Sequence, residues 1–224
     1  MNGQTLTLTA RSGESLSRWL WLVKWILLIP HYLVLLFLWT AFVVLTIVAY
    51  VAVLITGVYP RWIFDFNVGV LRWHWRVNYY GYAALGTDRY PPFTLADDPS
   101  YPARLDIARP ERIARWRPLV HWLLAIPHLV LLNAFVAAPV WGDYDAPTRE
   151  RAVVSIGVLG AAVLILGFGL LFTGRRLSGL YDLLLGLARW GYRVLAYVAL
   201  MTDVYPPFRL DQGDAPTIVE HHGP

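Results

Sequence analysis

Cysteine is absent from this 224-residue chain, and charge is scarce: only 15% of its residues are Asp, Glu, Lys or Arg. The first absence removes disulfides, thiolate nucleophiles, iron–sulfur clusters and cysteine-rich zinc sites. There is no phosphate loop, nucleophile elbow, dinucleotide fingerprint or paired acidic metal motif either. A formal net charge of +4 is not organised as a basic nucleic-acid module. The chain is therefore expected not to be an enzyme, to hold no metal or resident cofactor, and to bind no nucleic acid. The first eighteen residues are polar, with no short apolar core ahead of the long one, so a cleaved signal peptide is not expected.

What is present is apolar. Hydrophobic residues make up 57% of the chain and the mean hydropathy is +0.48, outside the usual proportions of a soluble domain. Trp19 to Thr56 is a run of 38 residues whose only formal charge, apart from a His31 cation, is Lys24. The lipid bilayer is the expected partner.

The run contains Ile29-Pro30-His31, and the chain repeats it at Ile126-Pro127-His128. That match sets Arg18-Trp19 against Arg115-Trp116 at a shift of 97. At a shift of 117, Asp65, Gly69, Arg72, Trp73 and Arg76 face Asp182, Gly186, Arg189, Trp190 and Arg193. TDRYPPFTL and TDVYPPFRL close the unit at a shift of 115. The constant order marks a tandem duplication. It divides the chain into a polar segment (1–17), repeat 1 (18–99), a polar linker (100–114), repeat 2 (115–216) and a tail (217–224).

A 20-residue insertion in the second apolar run supplies WGDYDAPTRER, Trp141 to Arg151. Thirty-eight helical residues would measure about 57 Å, nearly twice a ~30 Å hydrocarbon core. The expected solution is a tight transmembrane hairpin, Trp19–Leu38 with Ala41–Thr56, and a longer counterpart, Leu119–Val140 with Ala152–Phe172. The alternative is one long tilted helix beginning after Pro30, with Leu16–Ile29 at the interface. Gly57 and Gly174 follow each second helix and suit a left-handed cap.

Asp65, Arg72 and Arg76, like Asp182, Arg189 and Arg193, recur at i, i+7 and i+11, inside a ~40° arc of a helix. Such a stripe anchors an amphipathic helix at headgroup level, binds lipid phosphate, or lines a polar pathway. With these helices interfacial, 17 of the 19 basic residues share one side and only Arg149 and Arg151 lie opposite. The positive-inside rule then favours four spans with both termini cytoplasmic, over six spans with inverted repeats. The fold class expected is an all-α integral membrane protein, a tandem repeat of a transmembrane hairpin plus an interfacial amphipathic helix.

IPHY, TGVYPRWIFDFNVGVLRWHWRV and GTDRYPPF resemble a mainly bacterial membrane-protein family known as domain of unknown function 4389, here in two copies. The second copy departs from the pattern: after Thr-Gly it reads Arg175-Arg176-Leu177 and lacks the Tyr-Pro-Arg of the first copy. The resemblance implies a multi-pass protein of the bacterial cytoplasmic (inner) membrane and supplies no catalytic residue.

His31 and His128, equivalent in the two copies, are the candidate ligands; facing imidazoles on membrane helices ligate haem. Their architectural role is simpler, since each proline beside them frees a backbone carbonyl that a polar group satisfies. The expected function is that of a scaffold, lipid-organising element or accessory subunit, associated with other membrane-protein subunits or with itself. Transport of a small solute or lipid is the second expectation and haem binding the third.

Overall fold

Apolar residues alternate with Thr, Arg or Asp in LTLTA and ARLDI, a period of two that suits strands with one buried face. They form β1 (Leu6–Ala10) and β2 (Ala103–Ile107), paired antiparallel with Leu8 opposite Leu105. The computed structural model describes residues 6–11, 16–81, 85–136, 157–174 and 177–211. Among them the rest of the regular structure is helical: α1 (Lys24–Thr56), α2 (Arg61–Tyr80), α3 (Arg117–Val136), α4 (Val158–Thr173) and α5 (Ser178–Val198), besides one 3-10 turn at Leu20–Leu22. The helical expectation holds for the body of the protein. The strands are the exception, and they lie in segments 1–17 and 100–114, which looked like polar flanks. The 97-residue shift carries Leu8 onto Leu105, so the ribbon pairs equivalent strands of the two copies across a pseudo-two-fold axis.

The first hairpin does not form. α1 runs unbroken for 33 residues, about 50 Å, and Trp39-Thr40 lies inside it. No Gly, Pro or Asn interrupts that point, and Thr40 Oγ1 donates back to Leu36 O at 2.9 Å. The reversal comes instead at Gly57, left-handed at φ 73° as its glycine suggests. α2 then returns antiparallel to α1: Leu28 meets Gly81, His31 meets Trp73 and Thr46 meets Asn67.

The second hairpin is corrected in the same way. Along α5, His121 of α3 meets Tyr197 and His128 meets Trp190. Leu132 and then Leu159 of α4 pack on the cluster Leu187–Trp190–Val194, and Gly169 lies against Leu177. α3 and α4 thus descend α5 in one direction, end to end. A β-carbon placed on Gly157 would lie 2.0 Å from Val136 O, which brings the two helix ends into contact. Together they occupy the place that α1 alone fills in the first copy. α4 ends at Gly174, φ 66°. The polar turn Trp141–Arg151 and the tail 217–224 fall outside the described residues.

Three layers result. Leu6, Leu8, Ala103, Leu105 and Ile107 are buried, whereas Thr7, Thr9 and Asp106 on the other face of the ribbon are exposed. Beneath the ribbon lies α2, whose Trp75 and Tyr79 bond to Thr9 O and Arg11 O, with α5 beside it through Arg189 and Leu8. α1 contacts the other side of α2 through Trp73 and Val77, and α3 and α4 take the same place on α5. α1 buries a heptad-like seam, Lys24, Leu28, His31, Leu35, Phe42, Ala49 and Val53. α1 and α3 are each long and apolar enough to cross a membrane.

Candidate functional site

Pro30 and Pro127 sit inside α1 and α3, where each removes a helical hydrogen bond and loosens the turn before it. A tyrosine from the end of the same repeat binds a carbonyl of that turn. Tyr90 Oη donates to Leu27 O at 3.0 Å and Tyr205 Oη to Leu124 O at 3.3 Å. The phenylalanine three residues on stacks on the adjacent histidine, Phe93 on His31 and Phe208 on His128, both with ring centres 3.9 Å apart.

The histidines are bound from the return helix. Trp73 Nε1 donates to His31 Nδ1 at 3.0 Å and Trp190 Nε1 to His128 Nδ1 at 3.1 Å. Indole nitrogen only donates, so Nδ1 must accept and the imidazole proton resides on Nε2. Both Nε2 atoms are buried with no partner among the described residues. Three features that looked separate in the sequence, Pro-His, the helical Trp and Tyr-Pro-Pro-Phe, are therefore one aromatic box built twice. Phe93 and Tyr90 dock on the Pro-His turn of the long helix and also meet α2, through Trp73 and Tyr80. The two boxes share no residue.

Arg76 and Arg193, the last residues of the two stripes, hold the chain that follows each box. Arg76 is 2% exposed and donates to Thr94 O and Ala96 O. Arg193 donates to Arg209 O at 3.0 Å and to Asp211 O, the equivalent carbonyls at the 115-residue shift. Gly69 and Gly186 allow this arm its approach: a β-carbon there would lie 2.8 Å from Leu95 Cβ and 2.7 Å from Leu210 Cβ. Arg72 and Arg189 grip the ribbon instead. Arg72 Nε donates to Leu105 O at 2.9 Å, and Arg189 Nε reaches Leu8 O at 3.4 Å. These are the carbonyls of the cross-strand pair at the pseudo-axis.

Asp65 and Asp182 are exposed. Asp65 stands 3.8 Å from Arg61 at i−4, a surface pair of small worth. Beside it a groove of about 410 Å³ gathers Arg61, Asp65, Arg72, Asp106 and Arg109. On the ribbon, Arg104 hydrogen-bonds Asp97 and holds its carboxyl below the usual carboxylate range. The aspartates and arginines of each stripe share a face, as their spacing predicts, but the arginines are spent inside the fold and the aspartates are not.

One polar contact differs between copies. Lys24 is buried over the Tyr80 ring, 3.0 Å from Asp88 and 2.7 Å from Thr87 O. His121 takes its position in repeat 2, stacked on Tyr197 at 4.0 Å, and the aspartate equivalent to Asp88, Asp203, pairs with Arg117 at 3.3 Å. The positive charge has moved outward by a turn.

No group of three or more metal-ligating side chains occurs among the described residues. No curated protein and no solved structure matches the chain. The sequence profile described as domain of unknown function (DUF4389) matches residues 10–94 and 152–209, one segment in each copy. The chain belongs to the DUF4389 family.

Proposed function

We propose that this protein is a non-enzymatic scaffold or lipid-organising element of the bacterial cytoplasmic membrane, acting as an accessory subunit of a larger membrane complex or with further copies of itself. One observation carries the proposal: the paired histidines and the stripe arginines are committed to the fold in both copies, while the outer surfaces of α1 and α3 are apolar. His31 and His128 accept from tryptophan, and Arg76 and Arg193 hold carbonyls. Leu33, Phe37, Ile47 and Ile55 on α1, and Leu119 and Val130 on α3, are more than half exposed. A contiguous apolar face of that extent belongs against lipid or another membrane protein.

Transport of a small solute or lipid would need Asp65 and Asp182 facing an interior path, and their exposure favours anchoring. Pairing of β1 with β2 supports a single side for the N-terminus and the linker, in keeping with cytoplasmic termini and against inverted repeats. The four-span route relied on hairpins that α1 and the aligned α3 and α4 replace.

Purification of the full chain in mild detergent, with identification of co-purifying proteins and lipids, tests the proposal. A defined partner, a homo-oligomer or a retained lipid class is expected. A reproducibly monomeric protein carrying none of these would sink it.

A further inference from the structure

We infer that α1 and the α3–α4 pair lie in the plane of the membrane, sunk into the acyl chains of one leaflet, so that the protein enters the bilayer from one side without crossing it. The inference rests on the membrane reading above and specifies its geometry. From Trp25 to Ile55, every exposed position of α1 is hydrocarbon or aromatic except Tyr32 and Thr40, and Thr40 satisfies its hydroxyl on Leu36 O. Lipid is the solvent for that surface.

The ribbon gives the direction. Its outer face carries exposed Thr7, Thr9 and Asp106, with Arg104 bound to Asp97, and requires water. α2 lies against the ribbon along much of its length, through Arg72, Trp75 and Tyr79. It lies against α1 on its other side from Gly81 to Asn67. Standing α1 upright across the bilayer would stand α2 and the ribbon upright with it and press the polar face of the ribbon into hydrocarbon. Lying flat, the three layers run from water through the α2 and α5 layer to lipid.

The pseudo-two-fold axis, perpendicular to the ribbon, is then the membrane normal, and both long helices lie at the same depth. Trp19 and Trp25, with their equivalents Trp116 and Trp122, are all more than half exposed near the helix starts. Arg18 lies beside Gly174 and Arg115 beside Gly57, which sets cations at both ends of the slab where anionic headgroups attract them. A helix of about 50 Å is too long for a ~30 Å core and well suited to lying along it.

The chain has no cysteine, so single-cysteine variants of the full protein report without background. Bimane at Leu33→Cys, Val44→Cys and Ile55→Cys, in vesicles of phosphatidylethanolamine and phosphatidylglycerol, is read by depth-dependent quenching with spin-labelled lipids. All three sites are expected at one depth, about 5–10 Å below the headgroup boundary. Impermeant maleimide should label Thr7→Cys and Thr56→Cys from the same side of sealed vesicles. A spanning helix would spread the three probes over about 33 Å, and unequal depths or opposite-side labelling would overturn the in-plane geometry while leaving membrane residence intact. Absence of lipid quenching in a membrane-bound protein would mean that a protein covers the face, which also overturns it. Recovery of the chain in the soluble fraction would remove both readings.

Discussion

The bond between Trp73 and His31 is worth more than its length suggests, because both partners are buried and a lone survivor has no water to turn to. Replacing His31 by Leu leaves an indole N–H unsatisfied and Trp73→Phe leaves an imidazole nitrogen so; each costs about 1–3 kcal/mol. The double variant removes both polar partners and should be milder than the sum of the singles by about 1 kcal/mol or more. Thermal unfolding in detergent reads the cycle, and the same result is expected for His128 with Trp190. Strict additivity would mean that the two rings do not communicate. The duplication made these residues visible, since Trp73 and Trp190 align as the histidines do, yet the bond itself was not legible. Its partners lie 42 and 62 residues apart, and only the turn at Gly57 or Gly174 brings them together. The arginine stripes were half legible: spacing put them on one face, whereas their targets, carbonyls of the arm and the ribbon, carry no side-chain signal at all.

At the level of elements, the sequence points correctly to the glycine reversals and misplaces the hairpins. Too great a length for a straight span is a reason to break α1 only if the helix must cross the bilayer. The in-plane geometry inferred above removes the constraint, and a helix without Gly, Pro or Asn near Trp39 has no cause to turn. The strands are only partly legible: LTLTA and ARLDI alternate cleanly, and their short length and polar neighbours mask the pattern. If α3 and α4 are α1 with an insertion, deleting residues 137–156 to join Val136 to Gly157 should restore one continuous helix. The shortened protein is expected to remain membrane-bound, with helix content per residue by circular dichroism undiminished and an unfolding midpoint no lower than that of the full chain. Aggregation or a large loss of helix would show that the two segments do not share an axis.

For the whole molecule, the ribbon is what makes two copies one body. Each copy alone is a long helix, a return helix and an arm, with the buried face of its strand open to water; pairing Leu8 with Leu105 covers both strands and directs Arg72 and Arg189 to the same place from opposite copies. This is the geometry of an isologous dimer written into one chain, and it keeps both long helices on the side away from the ribbon. It tolerates drift in the details, as the exchange of Lys24–Asp88 for Arg117–Asp203 demonstrates, because the contacts at the axis are unchanged. The register is open to direct test. Thr7 stands opposite Asp106, and Arg104 is two residues out of step, so the facing β-carbons are about 4.5–5.5 Å apart and the diagonal ones about 7–8 Å. Under mild oxidation Thr7→Cys with Asp106→Cys should form an intramolecular disulfide readily, and Thr7→Cys with Arg104→Cys slowly. Closing a loop of roughly 100 residues should stabilise the first variant by up to about 4.7 kcal/mol in the chain-entropy treatment, raising its unfolding midpoint until reductant is added. Equal cross-linking of the two pairs, or dimers linked between chains, would separate the strands and with them the axis on which the inferred in-plane orientation rests.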